Sequence, residues 1–315
     1  MRRGRAAADG SPERCALPAS VCNQCRENYP PPEAGMQPVI RPLYLLHPDP
    51  ELRSTLDRIP GGPYHVTQVP DWEALRDALR RSPPTAISVV DPFAGSGDVC
   101  VPTEVLRDLL SAFRSSTIMA ALPVTTEASG VLRTLIDWGV AEIVDLVRER
   151  TPEALARRLR VVQGRTVQRL LHRALPDAVS GRTRALLAVA AETVATGGQA
   201  PELAASLGVT ERTVARWCKR AELPPPRRVL VWLRILLAAD LLDDPGRSNE
   251  AVARACGYAG GASLKGALRG LLETTPRDLR AAGAFRTVST AFRGELFGIR
   301  EAVQRRDRSG KFSLS

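Results

Sequence analysis

Two stretches of the chain, APELAASLGVTERTVARWCKR (200–220) and SNEAVARACGYAGGASLKGALRG (248–270), share one layout: short helix, glycine-bearing turn, second helix. In the first, Leu203, Ala204, Leu207, Val209, Val214, Trp217 and Cys218 form an apolar set that locks two helices across a tight turn. Gly208 supplies that turn and Thr210 caps the helix after it. Glu211, Arg212, Thr213, Ala215, Arg216, Lys219 and Arg220 are left on the outer faces. A basic outward face on the second helix of such a pair is what docking in a DNA major groove requires. The same residues also suit a solvated helix face.

Charge along the chain points the same way. Its 315 residues are enough for about two domains with substantial cores. Lys and Arg number 44 against 34 Asp and Glu, a formal +10, which favours an anionic partner. The excess is not uniform. Residues 39–150 hold 11 basic and 15 acidic side chains, residues 151–181 hold 6 and 2, and residues 182–280 hold 15 and 10. An acidic module precedes a basic one.

Between the paired segments runs PPPRRVLVWLRILLAADLLDD (224–244), in which Val231, Ile235, Ala238 and Leu242 share one stripe that Leu230, Leu233, Leu237 and Leu241 broaden. It reads as a buried connecting helix. This ensemble, closed by TTPRDLR (274–280), resembles the DNA-binding domain of the AraC/XylS family of transcription regulators. The resemblance covers about 100 residues. It implies an all-α twin helix-turn-helix that places two recognition helices in successive major grooves of double-stranded DNA and recruits or obstructs RNA polymerase. Carried over to this chain, the base-reading positions of the first recognition helix are Arg212, Ala215 and Arg216, with Thr213 alongside and Lys219 and Arg220 on phosphate. On the second helix the same positions fall on Gly261, Ala262, Ser263 and Gly266, leaving Ser263, Lys265 and Arg269 to touch DNA. Glu273 stands where the family favours glycine at the helix end. The expectation is that the first helix carries most of the readout and the second holds backbone.

Upstream, short apolar runs (VIRPLYLL, YHVTQV, TAISVV, TIMAAL, VAEIVDL) alternate with helical patterns, which indicates a parallel sheet with helices on both faces. Asp71 and Thr126 read as N-caps. The phrases LYLLHPDPELRSTL, AISVVDP and LIDWGVAEIVDL resemble the receiver domain of response regulators, implying a CheY-like α/β sandwich with Asp91 at the phosphoacceptor position. The family's chemistry is absent. His47 and Pro48 stand where paired acids hold Mg²⁺, Ala121 replaces the Ser/Thr, and Leu146 replaces the Lys. The reading is a pseudo-receiver without phosphorylation chemistry. A competing motif, DPFAGSG (91–97), resembles the cofactor loop of DNA amino-methyltransferases, but the only nearby Pro-Pro, after Ser82, is followed by Thr85 and lies too close to form an active-site wall.

The expected organisation is multidomain α/β plus all-α: a disordered arm 1–38, a pseudo-receiver 39–150, a helical connector 151–181, the DNA-binding domain 182–280 and a partly disordered extension 281–315. The connector starts at Thr151-Pro152-Glu153, a strong helix start, and its Leu155, Leu159, Val162, Leu170 and Ala174 suit either a closing helix on the sheet or a homodimer seam through 151–175. Gly164 and Pro176 limit a rigid coiled coil. Phe285, Phe292, Phe297 and Ile299 suit a short docking helix, and RRDRSGKFSLS (305–315) reads as loose. Cys15, Cys22 and Cys25, with His47, would make four zinc ligands, but one Cys-x-x-Cys without a matching second pair reads as unligated thiols, and Cys218 and Cys256 read as core thiols. The longest apolar run, Val229 to Leu242, is broken by Arg234 and Asp240, so no membrane span is expected. With no secretory signal, the expected location is cytoplasmic. Catalytic residues, metals and cofactors are not expected.

Overall fold

The computed structural model describes residues 41–59, 64–96, 101–176 and 179–311. The arm 1–38 and its three cysteines lie outside these. Five parallel strands, β1 (Arg41–Leu46), β2 (Tyr64–Gln68), β3 (Ile87–Val90), β4 (Thr117–Leu122) and β5 (Glu142–Asp145), form one sheet in the order β2-β1-β3-β4-β5. This is the doubly wound, flavodoxin-like order, with its switch point between β1 and β3. Strands β3 and β4 are buried along their whole length, as a sheet covered on both faces requires.

The two faces have separate cores. Helix α1 (Pro50–Asp57) lays Leu52 and Leu56 against Leu43, Leu45, Val89 and Met119 on one face. On the other, α2 (Trp72–Arg81), α3 (Glu104–Ala112) and α4 (Ser129–Trp138) bring Leu75, Leu79, Leu106, Leu109 and Leu135 onto Val90, Ile118 and Ala120. Asp71 caps α2 by accepting from Ala74 N at 2.8 Å. Thr126 does not cap α4. It opens a 3-10 turn, Thr126–Ala128, which absorbs the first residues, so α4 begins only at Ser129.

Helix α5 (Pro152–Ala174) corrects the expected connector. It is one unbroken helix through Gly164, capped by Thr151, which accepts from Ala154 N at 3.2 Å. Its first half closes the sheet through Leu155, Leu159 and Val162. Its second half, Val167, Leu170, Leu171 and Ala174, is buried in the helical core. The apolar stripe offered for a homodimer is thus consumed inside the chain.

The helical part contains α6 (Gly181–Ala195), α7 (Ala200–Ser206), α8 (Glu211–Arg220), α9 (Pro226–Leu242), α10 (Asn249–Ala255), α11 (Gly261–Leu272), α12 (Pro276–Ala282) and α13 (Ala284–Lys311). Helix α9 is its axle: eleven of its residues are buried, and every other helix but α11 packs on it. Val231, assigned to the buried stripe, is instead exposed. Helix α13 docks on the module through Phe285 and Phe292 as expected, but is longer than the short helix that was expected. Phe285, Val288, Phe292 and Leu296 enter the core, with Phe292 tilted on Trp232 at 5.5 Å, so the extension completes the domain. Phe297 points to solvent at 50% exposure, and the helix continues to Lys311 where a loose tail was read. Asp243 caps α13, accepting from Ala284 N at 2.7 Å and Phe285 N at 3.0 Å.

The two parts join at the turn between α9 and α10. Arg247, only 1% exposed, pairs with the equally buried Asp244 at 3.2 Å. It also donates to Ser82 O at 3.0 Å and Ser116 Oγ at 3.0 Å, and lies 5.7 Å over the Phe113 ring. Asp244 in turn accepts from Ser115 N at 2.9 Å and from the Ser115 hydroxyl. Gly246 N donates to Ala112 O at 3.0 Å, so close that a Cβ would stand 2.6 Å from Phe113. Burial pushes the Asp244 carboxyl up and the Arg247 guanidinium down, so neither charge is tolerable alone. Arg247→Ala should therefore destabilise the protein by about 3 to 5 kcal/mol, the cost of leaving a buried charge unpaired. Denaturant unfolding measures this, and a change below about 1 kcal/mol, the size of an exposed pair, would contradict the assignment.

Candidate nucleic-acid interface

The paired segments fold as two units of the same layout, α7–α8 and α10–α11. Leu203 and Ala204 of α7 correspond to Val252 and Ala253 of α10, all buried. Val214 and Cys218 of α8 correspond to Leu264 and Leu268 of α11, also buried. In both turns a glycine adopts a left-handed conformation, Gly208 at φ 65° and Gly257 at φ 77°, which residues with a side chain rarely hold. Val209 N then donates to Ala204 O, and Tyr258 N to Ala253 O, closing each turn at 3.0 and 2.9 Å. The second turn is one residue longer, Tyr258-Ala259-Gly260 against Val209-Thr210.

That extra residue changes the cap. Thr210 caps α8 by accepting from Thr213 N at 3.3 Å. Gly260, at the same place before α11, has no side chain to do so. Glu250 of α10 substitutes, accepting from Gly261 N at 2.6 Å and from Arg254 Nε at 3.0 Å. The Gly261 amide beside it holds the Glu250 carboxyl below its ordinary range. Sequence reasoning missed Glu250, because its partner lies across the turn.

Every residue named for α8 reaches the surface except Thr213, which is half-buried with its hydroxyl 3.2 Å from that of Thr210. Arg212, Ala215, Arg216, Lys219 and Arg220 are exposed on one side of the helix, opposite Val214 and Cys218. The side chains of Arg212, Arg216, Lys219 and Arg220 make no hydrogen bond or ion pair with any described residue, so their charges are available to a ligand. The outer face of α11 is built differently. Ala262, Ser263, Lys265, Gly266, Arg269 and Gly270 are exposed there. Lys265 and Arg269 supply its charge and the rest is small. The helix ends on Glu273 at φ 55°, a left-handed position that costs an L-residue about 1 to 2 kcal/mol.

Cys218 and Cys256 are buried thiols, pushed up to about 11 and about 12 by burial, and have no reactive character. At the other end of the chain, Asp91 accepts from Phe93 N at 2.9 Å, capping its own turn. His47 accepts from Asp49 N at 3.1 Å through Nδ1, and burial holds it below its ordinary range. Leu146 is in the core under α1 and α5. Residues 91–96 fold back on α2, with Trp72 Nε1 donating to Ala94 O at 2.7 Å, and Pro123-Val124 follow β4 with no carboxylate of their own for a cofactor ribose. No three His, Cys, Asp or Glu side chains converge on a metal position among the described residues.

Residues 203–282 match the family model described as a helix-turn-helix domain. Comparison with curated proteins and with solved structures finds no match. The matched segment starts inside α7 and ends with α12, so it contains both helical pairs and α9 between them. No helix among the described residues is long and apolar enough to cross a membrane. One stability prediction follows from α11: nothing lies within 4 Å of a Cβ built on Gly266, so Gly266→Ala should stabilise by about 1 kcal/mol. Thermal unfolding should rise accordingly, whereas a fall would mean that the helix face is covered. Together, the match and the twin geometry make residues 203–282 a helix-turn-helix domain of the DNA-binding type.

Proposed function

We propose that this chain is a sequence-specific regulator of transcription in which α8 reads bases and α11 mainly holds the DNA backbone. The observation that carries this is the contrast between the two outer faces. Helix α8 presents Arg212 and Arg216 one turn apart, exposed and unpaired, each able to bridge guanine O6 and N7. Ala215 between them offers a methyl group to thymine, and Thr213 braces the helix start. Lys219 and Arg220, in the last turn, are placed for phosphate. Helix α11 has Ser263, Lys265 and Arg269 but glycine at 266 and 270, so it contributes fewer base contacts. The regulator acts by recruiting or obstructing RNA polymerase. If it forms a homodimer through 151–175, the contact uses the polar side of α5.

The experiment is selection from random duplex DNA at near-physiological salt, comparing wild type with Arg212→Ala/Arg216→Ala. A wild-type motif one to two helical turns long, relaxed at two guanines by about 1 to 3 kcal/mol each in the variant, supports the assignment. Unchanged preference in the variant, with preference altered by Lys265→Ala, reverses the two helices' roles.

The α/β module is read as a receiver-like input domain that works without phosphorylation at Asp91. His47 and Leu146 support this, since both fill with neutral groups the positions that would neutralise a phosphoryl group. Incubation with acetyl phosphate and Mg²⁺ should give no incorporation by intact mass. Stoichiometric incorporation abolished by Asp91→Asn would overturn the reading.

A further inference from the structure

Beneath the sheet, between the α/β module, the second half of α5 and α6, lies an open cleft of about 1550 Å³. Six arginines line it: Arg41 from β1, Arg114 before β4, Arg160, Arg165 and Arg169 from α5, and Arg184 from α6. Glu192 is the only carboxylate among the lining residues, and Arg41 occupies it at 3.1 Å. Arg165 is paired outside the cleft with Glu142 at 2.7 Å. Arg114, Arg160 and Arg184 form no ion pair among the described residues, and Arg169 lies only in the field of Asp240.

Arg41 is the sharpest anomaly. Its side chain is 13% exposed, and Nε and Nη1 are both buried without a hydrogen-bond partner. Leaving charged N–H groups desolvated and unpaired is costly, and native structures rarely do it without a reason. Like charges converging in a concave, low-dielectric site focus a positive potential that an anion relieves. Trp138 adds aromatic surface to the same walls.

We infer that this cleft binds a small phosphorylated molecule, its phosphates held by Arg114 and Arg184 in the field of the buried Arg41, and its remainder against Trp138. Three separate parts of the chain supply the walls, so the ligand bridges the α/β module to α6, which packs directly on α9 of the DNA-binding domain. The site is distinct from the recognition helices, which lie on other elements.

Isothermal titration with pyrophosphate and with ATP, on the full chain at fixed ionic strength, tests it. Arg114→Gln/Arg184→Gln is the informative variant, because neither side chain has a partner whose loss would unfold the protein. Wild type should bind at least one probe, and the variant should bind it about tenfold or more weakly, the scale of lost charge-assisted hydrogen bonds. Arg212→Ala/Arg216→Ala should bind as wild type. No wild-type binding of either probe overturns the proposal. So does binding lost in the recognition-helix variant but kept in the cleft variant, which would place the anion on the DNA-binding face.

Discussion

The architecture turns on one buried guanidinium. Arg247 sits in a Pro-Gly turn that would ordinarily face water, yet it is withdrawn beneath the sheet and surrounded by Asp244, Ser82, Ser116 and Phe113. An ion pair in that position gains little stability over apolar packing but is severely damaged by loss of one partner. Its value is therefore specificity of placement. The turn it anchors joins α9 to the second helical pair, so the sheet holds the point from which that pair starts. Arg280 fastens the same turn from the other side, donating to Asp244 O at 3.2 Å and Arg247 O at 2.6 Å, and Asp243 caps α13 from within it.

A second continuity reinforces the first. Helix α5 contributes to the sheet's core with one half and to the helical core with the other, so the modules share a rigid element as well as an interface. Arg173, near its end, pairs with Asp240 of α9 at 2.7 Å and lies 3.9 Å over the Phe285 ring. A ligand acting on the α/β module has two routes into the DNA-binding domain, through α5 and through the Arg247 turn. This arrangement suits a regulator in which input and output are built as one body.

Legibility followed the range of the interactions. The strands, Asp71, Thr151, Thr210 and the two glycine turns were readable because their determinants lie within a few residues of one another. The outward faces of α8 and α11 were readable too, since burial of Val214 and Cys218, or Leu264 and Leu268, leaves only one side free. Arg247 was not, because Ser82 and Ser116 lie 165 and 131 residues away and carry no signature. Helix α13 was partly readable: the spacing 285, 288, 292, 296 selects Leu296, and Phe297 misleads by its size. The early 3-10 turn displaced Thr126 from the start of α4, a local competition that propensity alone does not resolve. The Glu250 cap was hidden because a residue from one helix completes the end of another.

The central claim is that the two helical pairs engage DNA unequally, one through bases and the other through backbone. Chemical interference footprinting on a selected operator separates these contacts directly. Methylation at guanine N7 reports base contacts in the major groove, and ethylation reports phosphates. The account predicts strong methylation interference within one major-groove segment, and ethylation interference across that segment and the next. Equal methylation interference in both grooves, or interference confined to the segment lost when Lys265 and Arg269 are replaced, would contradict it.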